Sequence, residues 1–445
     1  MRRFTRIPNS ALMVVLALGL GALFKLSAFG REAFITSRFG LSSVTDAYFA
    51  LQQFPVTAAT FMFGPFARAF TPAYAEAYEQ EGKASWLPGL IFYAALAGLA
   101  CTLLSFLLAP QILAAFTRSG SWPTLAFLAL CYVPIVFTGF RAATWNSYGQ
   151  NLSALTLAGA PYVVMTVALI GMYLGGTMGN LSLALSMSIG FAGVGVFSAI
   201  GLFAREQPFR SGGDILRPWR FEAFRRFTRQ LTASSVETIG FSINQFLLLY
   251  FMARAGTGAV SANNCATRIG MLGYSLFAQP LVQLLQARLC RSSEADRDGV
   301  AKRYISALAV GAAVFAISLF VVRRPLVSLI YLRGNFSSSA LEEVLAILPA
   351  WLCYFVVLCL NTIISQYMFH AGIGYRFTRN MLAGYAGTNI LRVVFAQSMG
   401  APWIVWCGVI AEGAAFLVNV LTSVTRSHWV SSNSPAAVAV AYEEV

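Results

Sequence analysis

Seven charged residues fall inside, or at the ends of, long apolar runs: Lys25, Arg31, Glu32, Asp46, Glu237, Arg268 and Glu412. A charge held at the centre of a bilayer costs roughly 2.5–3.5 kcal/mol on insertion scales, so charges that persist there usually face a cavity or a partner. Lys25, Arg31 and Arg268 against Asp46 form a net positive set. Guanidinium groups grip phosphate oxygens two at a time, so this set suits an anionic ligand and disfavours a cationic one. Glu237 and Glu412, with Asn244 one helical stripe from Glu237, are candidates for holding a coupling cation or proton. Other chemistry is missing from the sequence. His370 and His428 are far apart and follow no metal-ligand pattern, and no GxxxxGK[ST] phosphate loop occurs. The seven cysteines lie mostly in apolar runs without ligand spacing and read as small core hydrophobes. No catalytic residue, metal site or bound cofactor is expected.

The elements that position these charges are set by composition. Hydrophobic residues make up 58% of the chain and charged residues 11%, against about 45–50% and 25% in soluble domains. Apolar windows of about 20 residues, the length that crosses a bilayer as a helix, recur from end to end. They predict an all-α polytopic membrane protein with about twelve spans, near 10–30, 45–66, 86–110, 122–146, 152–175, 181–204, 230–253, 260–286, 303–322, 343–369, 380–398 and 401–423. The basic, then apolar N-terminus could pass for a secretory signal, but further membrane segments follow and it reads as a first span.

Lys and Arg cluster on the side that holds the N-terminus, including Arg205, Arg210, Arg217, Arg220, Arg225, Arg226 and Arg229. Arg38, Arg254, Arg323, Arg324, Arg333 and Arg392 are assigned to the other side. This bias places both termini in the cytoplasm, and the net charge of +14 reports orientation rather than nucleic-acid binding. The basic stretch at 205–229 reads as a linker between two sets of six spans. The halves share a faint repeat: "SRFGLSSV" at 37–44 aligns with "ARAGTGAV" at 253–260 at an offset of 216. Two parallel six-helix lobes, 1–210 and 211–430, around a central cavity are expected, followed by a cytoplasmic tail at 431–445. That architecture suggests transport.

Spacing refines the charged positions. Ser27 and Arg31 are four apart and share a face. Asp46 shares one with Ala50 and Gln53, and Pro55 should bend or break that helix. Glu237, Phe241 and Asn244 form one stripe, and Asn264 and Arg268 another. Lys25 lies deep in its span, with snorkelling to an interface as the alternative. Arg31 and Asp46 could instead form a structural ion pair, and Glu32 reads as a solvated or paired rim residue.

The opening stretch "FGREAFITSRFGLSSVTDAYFALQQFP", followed by "GPFARAFTPAYAEAY", resembles the start of the MurJ/MviN family of the multidrug/oligosaccharidyl-lipid/polysaccharide exporter superfamily. Matching features are Arg31-Glu32, the Phe39-Gly40 turn, Thr45-Asp46-Ala47-Tyr48-Phe49, and "AFTPAYAEA" at the end of the second span. Weaker matches continue in "NSYGQNLSALTLAGAPYVV", "SINQFLLLYFMARAGTGAVSANNCATRIGML" and "QYMFHAGIGYRFTRNM". The resemblance implies that Lys25, Arg31 and Arg268 fall at family cavity cations and Asp46 at a family acid; Asn264 joins these cavity candidates through the face it shares with Arg268. A third family arginine falls near Ala59 here, and the family commonly has two more spans. The implied activity is flipping of a polyprenyl-pyrophosphate-linked saccharide, lipid II or a related surface-glycan precursor, across the bacterial inner membrane. Membrane potential, Na+ or H+ would drive it, and glycan-synthesis or polymerising enzymes would be partners. A cation-coupled small-molecule exporter and a non-transporting scaffold of a glycan-synthesis complex are the alternatives.

Overall fold

In the computed structural model, residues 10–81, 84–117, 122–148, 150–206, 218–274, 294–370 and 373–432 are described. The apolar runs fold as helices because a helix satisfies its own backbone N–H and C=O groups where no water can. The regular elements begin with α1 (Ser10–Phe39), α2 (Ser43–Leu51), α3 (Gln53–Phe61), a π-helical turn (Met62–Phe66) and α4 (Ala67–Glu81). Next come α5 (Leu87–Leu107), α6 (Ala109–Phe116), α7 (Trp122–Ala129), α8 (Tyr132–Ser147), α9 (Asn151–Leu174) and α10 (Asn180–Glu206). The second half contains α11 (Glu222–Ala255), α12 (Ala259–Gly273), α13 (Glu294–Tyr331), α14 (Ser338–His370), α15 (Gly374–Met399) and α16 (Ala401–Ser432). Among the described residues, eight helical segments are long and apolar enough to cross a membrane. They coincide with eight of the expected spans, and the chain is an all-α polytopic membrane protein.

Three boundaries differ from the sequence expectation. The first helix does not stop near residue 30 but continues to Phe39, so Arg31 and Glu32 lie within it. It ends at Gly40, whose φ of +66° suits glycine and where a Cβ would lie 2.8 Å from the Asn335 carbonyl oxygen. The second helical run does not stop near 66 but reaches Glu81. Its break comes at Gln52, before Pro55, because proline has no N–H to give the carbonyl of Leu51. Pro65 produces the π-helical turn one segment later.

Packing divides the chain into two compact units, one comprising 1–265 and 325–344, the other 266–324 and 345–445. The first unit has an aromatic core. Phe66, Phe70 and Tyr74, spaced four apart along one helix face, stack with centroids 5.4 and 5.2 Å apart. Phe140 of α8 meets Phe66 edge-on at 4.8 Å, and Trp86 stacks on Phe227 at 5.8 Å. The "GPFARAFTPAYAEAY" motif therefore builds packing, with Ala69, Ala73 and Ala77 buried beside the rings. In the second unit, Phe355, Cys359 and Ile363 of α14 pack against Leu308 and Ala312 of α13, while α15 lies along α16.

Candidate functional site

The geometry begins at Arg31. As the four-residue spacing predicts, Ser27 and Arg31 meet the same helix, α9: the Ser27 and Thr166 hydroxyls are 3.1 Å apart. Arg31 Nη1 donates to the Met165 sulfur at 2.7 Å, and the guanidinium lies 6.0 Å from the Tyr162 ring centre. Its Nη2 reaches Glu32 Oε1 at 3.5 Å, and its Nε is buried with no hydrogen-bond acceptor among the described residues. A thioether is a weak acceptor, so this cation, only 3% exposed, retains donor capacity. An oxyanion with several lone pairs would match it.

Glu32 is not a solvated rim residue: it is 1% exposed. Its Oε2 accepts from Asn264 Nδ2 at 3.0 Å, which ties α1 to α12. The paired half of the expectation holds, but the partner lies 232 positions away and no local signal announces it. Asn264, in the second turn of α12, is thus held by Glu32.

Asp46 is used differently from a simple counter-ion. Its Oδ2 accepts from the Gly258 N–H at 2.6 Å, and its Oδ1 accepts from the Ser261 N–H at 2.8 Å and hydroxyl at 2.6 Å. These are the free donors at the start of α12, where a carboxylate is favoured by both hydrogen bonding and the helix dipole. In the first half, α2 is capped by Ser42 and Thr45 in a capping box. At the repeat offset, Ser42 corresponds to Gly258, which has no side chain to cap with. Asp46 supplies the missing cap from the other half. Gly258 has φ of +90° and packs against Leu41, where a Cβ would lie 3.1 Å away. Asn335, which sequence reasoning missed, closes the other turn: its N–H donates to Ser37 O at 2.7 Å and its Nδ2 to Arg38 O at 2.6 Å.

The remaining candidates are more dispersed. Lys25 is exposed on α1, and six residues place it about a third of a turn around the helix from Arg31. Glu237 is half-buried on α11, close enough to exposed Arg68 of α4 to feel its charge. Asn244, two turns on, is buried. In the second unit, Arg268 is half-buried on α12. Glu412 of α16 is 1% exposed and its Oε2 accepts from the Tyr354 hydroxyl at 2.8 Å. Arg392 is buried in α15. Its Nε donates to Ile404 O and its Nη1 to Asn389 Oδ1, both at 3.1 Å, and it acts electrostatically on Glu412. Among the described residues, no three His, Cys, Asp or Glu side chains cluster as a metal site.

Comparison with known proteins gives a consistent picture. The family described as lipid II flippase MurJ matches residues 35–424. A protein of Aquifex aeolicus (strain VF5), named a probable lipid II flippase MurJ, is 26% identical over 73% of this chain and 66% of its own length, just under two thirds. A solved lipid II flippase MurJ in an inward closed conformation is similar with a TM-score of 0.75 at 19% identity, over 92% of this chain and 87% of that one. An inward-facing multidrug resistance MATE family transporter of the MOP superfamily has a TM-score of 0.76 at 15% identity, over 95% and 99%. At these identities the two structures show a shared fold.

Proposed function

Because this chain belongs to the lipid II flippase MurJ family, we propose that it moves an anionic polyprenyl-pyrophosphate-linked saccharide from the cytoplasmic to the periplasmic leaflet by alternating access. Lipid II and a related surface-glycan precursor both fit the chemistry. The protein would sit in the bacterial inner membrane with both termini in the cytoplasm, beside glycan-synthesis enzymes, and would catalyse no covalent step. A hydrated pyrophosphate cannot enter hydrocarbon, so a protein path must replace its hydration with fixed cations. The lipid tail has no such need and stays in the bilayer.

Arg31 is the observation that carries this reading. It is a buried guanidinium whose acceptors are a thioether and a carboxylate that Asn264 also uses. Pyrophosphate oxygens are better partners than either. In this proposal Arg31 is the anchor, Lys25 adds positive charge, and Asp46 and Asn264 shape the site; Arg268, in the second unit, is proposed as a cation of its own. The cationic set disfavours the cationic cargo expected of a cation-coupled drug exporter.

Complementation of a flippase-depleted strain tests the proposal. Wild type is expected to restore lipid II export, and Arg31→Ala and Arg268→Ala to fail while remaining at wild-type levels in the membrane. Failure of wild type would remove lipid II as the cargo. Rescue by both alanine variants would remove the cation assignment and favour a scaffold.

A further inference from the structure

Helices α8, α9 and α10 enclose a groove of about 410 Å³, within the roughly 300–1,000 Å³ of small-molecule sites. Ser153, Thr156 and Ala160 line it from α9, Gly193 and Phe197 from α10, and Trp145 at the end nearest the α8–α9 turn. Leu157 and Val194 belong to the buried cluster beneath it. Its polar side chains lie at the Trp145 end and the rest is apolar. From Ser153 to Val164, α9 rises about 16 Å, close to half of a hydrocarbon core of about 30 Å. The groove is therefore about one leaflet deep. Its rim is apolar and exposed, with Phe197 at 64% and Val196 at 59%, so it opens towards lipid.

A cation backs the end of this groove. Arg141, one turn before Trp145 on α8, places its guanidinium 4.8 Å from the Trp145 ring centre. It is buried, and Gly201 of α10 gives it room: a Cβ there would lie 3.3 Å from Arg141 Nε. Positive charge behind Trp145, about one turn below the leaflet-surface end of an apolar slot, matches a negatively charged headgroup on a hydrocarbon chain. The proposed cargo is a poorer occupant. Arg31 and Ser27 meet Tyr162, Met165 and Thr166, which lie off the groove-lining face of α9. A head held there leaves the groove on another side of the helix.

We propose that this groove is a binding site for one acyl chain of an anionic phospholipid from the surrounding membrane, with its headgroup phosphate drawn to Arg141. The proposal goes beyond the flippase reading and does not depend on it. Gly193 permits a clean test, because a Cβ added there meets nothing within 4 Å among the described residues. Leucine is also a better helix former than glycine. Gly193→Leu should therefore fill the groove without disturbing the fold.

The full chain is reconstituted in vesicles containing phosphatidylglycerol or phosphatidylcholine brominated on the acyl chains, and tryptophan fluorescence is followed. Brominated phosphatidylglycerol is expected to quench a saturable component that disappears in Trp145→Phe and in Gly193→Leu. Half-saturation should come at roughly tenfold lower mole fraction than with brominated phosphatidylcholine, the scale of one charged hydrogen bond. Arg141→Gln should erase that preference while leaving quenching itself. Equal quenching by the two lipids in wild type, or an unchanged signal in Gly193→Leu, overturns the proposal. Displacement of brominated phosphatidylglycerol by stoichiometric polyprenyl phosphate overturns it too, by giving the groove to the cargo tail.

Discussion

The Asp46 carboxylate is the N-terminal cap of the helix that contains Ser261, accepting the Ser261 N–H at 2.8 Å and its hydroxyl at 2.6 Å. The two residues come from different halves of an internal repeat, and the cap joins the turn after α1 to the turn after α11. Arg38 and Arg254, equivalent in the repeat, each occupy the last turn of the preceding helix, where a cation is favoured by the dipole.

Asp46→Ala should therefore release α12 locally before it affects anything else. Leaving the Gly258 and Ser261 amides without their acceptor costs about 1–3 kcal/mol, which corresponds to roughly tenfold or faster amide exchange. Hydrogen exchange read by mass spectrometry on a peptide covering 258–264 checks it. Asp46→Asn keeps an acceptor oxygen and should fall between. Unchanged exchange in the alanine variant would show that the cap does not hold the helix start.

Gly40 and Gly171 should respond to alanine with opposite signs. At Gly40 the backbone is left-handed and a Cβ would sit 2.8 Å from Asn335 O. The conformation alone costs about 1–2 kcal/mol, so the melting temperature in detergent should fall. Gly171 lies inside α9 with open space around it, and alanine there should stabilise by up to about 1 kcal/mol. Equal behaviour of the two variants would contradict the turn geometry.

Much of this architecture is legible in the sequence because hydrophobic length and glycine turns are local signals. The eight apolar spans and the shared face of Ser27 and Arg31 follow from spacing, and the Phe39-Gly40 turn from the family resemblance. What escaped depends on partners far along the chain. Glu32 looks like a rim residue until Asn264 arrives to bind it, and nothing near Arg392 in sequence announces Glu412 and Tyr354 as its electrostatic neighbours. Asp46 had one available clue. The repeat puts glycine at 258 where the first half has the capping Ser42, and a helix start without its own cap needs one from elsewhere.

Arg31 and Glu32 allow stability to be separated from function. Glu32→Ala leaves a buried guanidinium without its carboxylate, a change worth about 3–5 kcal/mol, and should lower the melting temperature sharply. Replacing both residues, as Arg31→Met with Glu32→Leu, removes the uncompensated charge and should recover much of that loss. The double variant should still fail to complement, because no cation remains on α1 at that site. Full complementation by the double variant would exclude Arg31 as the anion anchor.

Glu237 and Glu412 are both candidates for a coupling ion, and their surroundings rank them. The Glu412 carboxylate already accepts the Tyr354 hydroxyl at 2.8 Å and lies in the field of buried Arg392. A carboxylate with a fixed internal cation has less need of an external one, so Glu412→Gln should act mainly on stability. Glu237 is half-buried on the same stripe as Asn244, with an exposed arginine, Arg68, as its charged neighbour. In the proposed transport cycle its carboxylate is the better placed of the two to exchange partners. In vesicles with an imposed Na+ or H+ gradient, Glu237→Gln should abolish the gradient dependence of flipping while leaving the melting temperature near wild type. Glu412→Gln should keep the gradient dependence and melt several degrees lower. The reverse pattern, with gradient dependence lost only in Glu412→Gln at unchanged melting temperature, would move the coupling site to α16 and make Arg392 part of it.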